Sequence, residues 1–172
     1  MYRAALVILF LILSGPPARA GDTDKAVGDN EYLEAVVAAS VAITRGDEEA
    51  AFRAYLPLAR RGHAGAQYSV GYMTANGQGV DQDYSEAARW YRLAAEQNHD
   101  TAQLSLGMLN WQGKGVPKDL IQAYMWLSLS AAQGQPEAVR SRDELKAQLS
   151  ADQLQQSEDM VRAWLRSQKT TG

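Results

Sequence analysis

At 172 residues, with 22% charged and 46% hydrophobic side chains, the chain has the make-up of one folded domain and not of a disordered segment. Its formal net charge of -3, with no basic run and no aromatic–basic interleaving, leaves nucleic-acid binding without an electrostatic basis. No cysteine occurs, which excludes a disulfide staple, a thiolate metal site, a cysteine nucleophile and a lipid anchor on an N-terminal cysteine.

Residues 1–20 read as a signal peptide. Arg3 supplies the positive charge, Ala4 to Leu13 form an unbroken apolar run, and Ser14-Gly15-Pro16-Pro17 break it before Ala18-Arg19-Ala20. Cleavage is expected after Ala20, giving a periplasmic or secreted protein. About ten apolar residues are too few to span a hydrocarbon layer of roughly 30 Å, so no stable membrane insertion is expected after cleavage. Residues 21–29 then read as disordered. Glu31 to Arg45, after Asp29-Asn30, reads as one amphipathic helix capping an end of the fold, within a cap at 30–46.

The strongest signal is internal repetition. A shift of 36 positions lays Ala66-Gln67 on Ala102-Gln103, Gly71 on Gly107, His63 on His99, and Gly77-Gln78-Gly79-Val80 on Gly113-Lys114-Gly115-Val116. The same shift carries Asp83, Ala87, Trp90, Ala95 and Ala102 onto Asp119, Ala123, Trp126, Ala131 and Ala138. Units at about 47–82, 83–118 and 119–149 each read as two helices. Asp83 with Glu86, and Asp119 with Gln122, form variants of the capping box. Ala87, Trp90, Tyr91, Ala94 and Ala95 recur at helical spacing on one core face. Gly62 and Asn98 sit where a helix ends left-handed. Gly71 and Gly107, costly inside a helix by about 1 kcal/mol each, predict a close approach between the two helices of a hairpin.

The first copy departs from the pattern, with Ala54 in place of Trp and Pro57 expected to kink its helix. The third lacks the glycine turn. Pro136 starts a helix through about Leu149, and Ser150-Ala151-Asp152-Gln153 is a capping box for a last helix ending near Gln168, docked by Trp164 and Leu165. That makes 150–168 a second cap, closing a domain at 30–168. Residues 169–172 read as disordered.

These motifs together resemble the Sel1-like repeat family, relatives of the tetratricopeptide repeats. Ala87 to Ala95, then Val116-Pro117-Lys118-Asp119, match the family pattern nearly throughout, and the resemblance covers about residues 47–138. It implies an all-α solenoid, a right-handed superhelix of helical hairpins with capping helices at both ends. It also implies an adaptor that holds a protein partner, such as a regulator of an envelope sensor, a secretion component or a toxin-immunity protein.

No residue set points to catalysis. The two GxGV turns follow no strand and extend to no nucleotide-binding motif, so they read as helix stops and chain turns. His63 and His99 hold equivalent places about a helix-packing distance apart, too far to share one zinc. HExxH, GxSxG and SxxK are absent. The expectation is a non-enzyme with no cofactor, no metal and no nucleic-acid partner. It is expected to be monomeric when free, and to bind an unidentified protein or peptide on a concave face lined by the first helices. A wheel drawn from Ala87 puts Arg89, Leu93 and Glu96 outward with Arg92 flanking; Arg53 and Arg60 take these places in one neighbouring copy, Met125 and Leu129 in the other. That surface is basic at one end and, unless the C-terminal cap covers Met125 and Leu129, apolar at the other, and suits an acidic or C-terminal peptide. A cell-wall-related enzyme acting on peptidoglycan or β-lactams, and a self-associating envelope scaffold, are the alternatives.

Overall fold

The computed structural model of the protein describes residues 20–170. The expected signal segment therefore lies outside the described residues, apart from Ala20. Among the described residues there are only helices: α1 Ala20–Thr44, α2 Glu48–Arg60, α3 Ala64–Asn76, α4 Tyr84–Glu96, α5 Asp100–Gln112, α6 Leu120–Ala132, α7 Pro136–Lys146 and α8 Ala151–Thr170. Each of α1 to α7 packs mainly on its neighbours in sequence, and α8 folds back onto α6. The chain thus zigzags between two layers, α1, α3, α5 and α7 in one, and α2, α4, α6 and α8 in the other. This is the all-α solenoid expected. No helix among these residues is long and apolar enough to cross a membrane.

Aspartates start one layer. Asp47 accepts from the Ala50 amide at 2.8 Å, Asp83 from Ser85 and Glu86, and Asp119 from Ile121 and Gln122. The reciprocal arm expected of a capping box does not form at Asp83 or Asp119. Their own amides donate instead to the carbonyls of Thr74 and Asn110, tying each turn to the helix before it. Ser150 and Gln153 do exchange both bonds, at 3.0 and 3.2 Å. Gly77 and Gly113 end α3 and α5 in the left-handed conformation. Gly79 and Gly115 go further: a Cβ on Gly115 would lie 2.2 Å from the Tyr84 carbonyl carbon, so backbone rests on backbone at the start of α4. Trp126 is buried and Trp90 half-buried, with Val80 half-buried and Val116 packed on the same cluster as Ala95.

Several expectations are corrected. Gly71 meets the Tyr91 ring and Gly107 meets Leu127. The close approaches are therefore between α3 and α4, and between α5 and α6, across the glycine turns, and not within the pairs α2–α3 and α4–α5. α1 takes in residues 21–29, and α8, expected to end near Gln168, ends at Thr170. Pro57 lies inside α2, as expected, and α2 runs on to Arg60. On α1 the outer stripe is apolar, with Leu33, Val37 and Val41 exposed. Leu165 is exposed; Met160, Val161 and Trp164 carry the docking of α8.

Candidate functional site

The layer of α3 and α5 carries a trough. Two adjoining depressions of about 250 and 310 Å³ share Tyr68 and Tyr72 as their common wall. The first is closed by Ile43, Tyr55, Ser69 and Met73, the second by Tyr84, Tyr91, Leu104, Ser105 and Met108. The register of the repeat builds this lining, because positions 36 apart take equivalent places in successive units: Ser69 and Ser105, Tyr68 and Leu104, Tyr72 and Met108 on α3 and α5, and Tyr55 and Tyr91 reaching in from α2 and α4. The tyrosines lean on one another, with ring centroids 6.3 Å apart for Tyr68–Tyr72 and 5.8 Å for Tyr68–Tyr91. Tyr72 is nonetheless 47% exposed.

Burial pushes the Tyr55, Tyr68 and Tyr91 hydroxyls above the ordinary tyrosine range, Tyr91 furthest. At Tyr68, neighbouring Tyr72, Asp100, Tyr32 and Glu137 push in the same direction. All three phenols stay neutral in physiological solution. Tyr55 and Tyr68, only partly buried, can donate hydrogen bonds while their ring faces offer apolar area, the combination that suits a protein-contacting surface, whereas Tyr91 is 4% exposed and belongs to the core beneath them.

The histidines belong to the frame of this trough. His63 and His99 cap α3 and α5, their Nδ1 atoms accepting from Ala66 and Ala102 at 3.3 Å, and their rings stack on Tyr32 and Tyr68. Burial holds the His99 pKa below its usual value. Gln135, the third equivalent, makes no side-chain cap bond. A second repeating device ties successive units together. Buried Gln67 donates to the Ala59 carbonyl and accepts from Gln97 at 2.7 Å, while Gln103 donates to the Ala95 carbonyl and accepts from Gln133 at 2.8 Å.

The residues picked from sequence fall on the other layer. Arg53, Arg60, Arg89, Arg92, Leu93 and Glu96 are all exposed on α2 and α4. Arg53 pairs with Glu49 at 2.7 Å and Arg89 with Glu86 at 3.4 Å, exposed pairs worth about 1 kcal/mol or less. Arg60 lines a separate depression of about 370 Å³ with Phe52, Leu56, Asp83, Glu86 and Trp90. Met125 and Leu129 are not surface residues: they are 6% and 2% exposed, covered by Met160, Val161 and Trp164 of α8. Sequence reading placed Tyr91 on a core face and gave no site role to Tyr55, Tyr68, Tyr72 or Tyr84. The available signal was a pair of tyrosines one helical turn apart on α3, beside the glycine and glutamine that fix its buried face.

The Sel1 repeat model matches residues 64–99 and 101–135, pairing α3 with α4 and α5 with α6, as the glycine contacts do. A protective antigen present in uropathogenic Escherichia coli strains, which displays an SLR fold, superposes with a TM-score of 0.73 at 28% identity over 84% of this chain. A Sel1 repeat protein from Oxalobacter formigenes superposes with a TM-score of 0.59 at 30% identity over 66% of this chain. This chain spans 32% and 48% of their respective lengths. Helicobacter pylori cysteine rich protein B shares the fold, with a TM-score of 0.55 at 21% identity over 73% of this chain and 98% of its own. No curated protein matches the sequence.

Proposed function

This chain is a Sel1-repeat protein, and from that premise we propose that it is an exported adaptor gripping a protein partner in the trough formed by α3 and α5. Proteins built from these repeats generally mediate protein–protein interaction and are typically not enzymes. The observation that carries the assignment to the trough is Tyr72, a large aromatic side chain left 47% exposed in a recess walled mainly by tyrosine, aliphatic and small polar side chains, with Glu48 and Glu137 at its margins. Aromatic anchors of this kind concentrate binding energy when a partner excludes the water around them. Export rests on the segment ending at Ala20, and a role beside an envelope sensor, a secretion component or a toxin rests on the resemblance alone.

A photoreactive phenylalanine analogue installed at Tyr72, and separately at Arg89, tests the surface in producing cells. Adducts with a partner at position 72 are expected, with few or none at 89. Adducts at 89 alone would transfer the function to the arginine-bearing layer, and adducts at neither would remove the proposal. For export, N-terminal sequencing of the periplasmic or secreted protein should begin at Gly21; a retained Met1 refutes it.

A further inference from the structure

The trough's charges and its aromatic faces point to one class of occupant. Among the described residues, the ionisable side chains lining its two depressions, other than the tyrosines, are Glu48 and Glu137, with no lysine or arginine in either lining. Glu48 stands in the first turn of α2 at one end, and Glu137 in the first turn of α7 at the other. Asp100 lies near enough to Tyr68 to act on its hydroxyl. Along the floor run the rings of Tyr68 and Tyr72, flanked by Tyr55, Tyr84 and Tyr91. Ring faces carry negative potential and attract a cation held over them. The protein already makes one such contact, with Lys114 Nζ 5.5 Å from the centre of the Tyr84 ring.

We propose that the trough takes a basic partner segment, an extended stretch whose lysine or arginine side chains reach Glu48 and Glu137 while its aliphatic stems lie on the tyrosine rings. This deepens the adaptor reading and rests on it. It reverses the preference expected from the arginines on α2 and α4, which face away from the trough. Each depression is large enough for one long side chain and too small for a folded element, which favours a chain laid along the trough. Lysine and arginine stems bury apolar surface while their charged ends stay near carboxylates and water.

Three fluorescein-labelled nonapeptides of alternating composition, Lys/Ala, Gln/Ala and Glu/Ala, titrated into the purified protein and read by anisotropy, test this. The Lys/Ala peptide should bind at least about tenfold more tightly than the Glu/Ala peptide, with an affinity that falls as salt rises. Glu48→Lys with Glu137→Lys should erase that preference. Glu86→Lys with Glu96→Lys on α4, an equal change in net charge, should leave it in place, with helicity of both variants checked by circular dichroism. If both pairs weaken binding equally, the attraction belongs to net charge and the proposal fails. If all three peptides bind alike and Tyr72→Ala abolishes them all, the charge preference is wrong while the trough stands as the binding surface. If none binds, the basic-segment proposal is refuted, and the crosslinking at Tyr72 decides the trough separately.

Discussion

Replacing Gly115 with alanine probes how the glycine turns hold the solenoid together. Gly115 has φ +68, where an L-residue costs roughly 1–2 kcal/mol. The added Cβ would also lie 2.2 Å from the carbonyl carbon of Tyr84, 2.3 Å from its oxygen and 2.5 Å from the Ser85 amide nitrogen. These are backbone atoms at the start of α4, so relief requires the turn and the helix to separate, an overpacking penalty of about 1–3 kcal/mol. The expected loss is about 3–4 kcal/mol. Gly134→Ala supplies the control, because φ is +90 there and no atom lies within 4 Å of the new Cβ. Only the conformational cost of roughly 1–2 kcal/mol applies. Urea unfolding followed by far-UV circular dichroism measures both. Equal losses for the two variants would show that Gly115 is present for its backbone angle alone, and that the contact with Tyr84 is not a constraint.

Leu129→Ala should destabilise by about 2–5 kcal/mol, since it opens a cavity beneath α8; an effect on peptide binding without loss of stability would contradict its burial. Gln103→Leu removes the side-chain bonds to the Ala95 carbonyl, which still accepts from the Asn98 amide, and from exposed Gln133, and should cost about 1 kcal/mol in chemical unfolding; an unchanged midpoint would mean the glutamine contacts contribute nothing net. His99 has a folded pKa held below 6.5 by burial, so the unfolded state binds more protons in the window beneath that value. Stability should therefore be full above about pH 6.5 and fall as pH drops through the folded pKa, when Nδ1 ceases to accept from Ala102. His99→Asn keeps a capping acceptor and should flatten this slope between pH 7.5 and 5.5, whereas parallel slopes in both proteins would refute the assignment.

Much of the fold was legible because it is local and repeated. Asp83 and Asp119 announced helix starts, Gly77 and Gly113 announced helix ends, and Ala87 to Ala95 showed one face at helical spacing; each signal acts within a few residues of itself. The site was not legible for two reasons. A period of 36 residues looks the same wherever it is cut, so Gly71 could be seen to need a close neighbour without revealing that the neighbour is Tyr91 rather than a residue of α2. A helical wheel, likewise, shows which residues leave a helix's own core face but not what returns to cover them, as α8 covers Met125 and Leu129.

The amino-acid order by itself determined that this protein is a run of capped helices with a recurring pattern of small and aromatic residues, because caps, turns and periodicity depend on neighbours along the chain. Only the tertiary structure decided which layer bears the recess and which charges stand beside it. Tyr55, Tyr68, Tyr91 and Glu137 come from four helices, α2, α3, α4 and α7, and reach one trough only when successive hairpins lie in register.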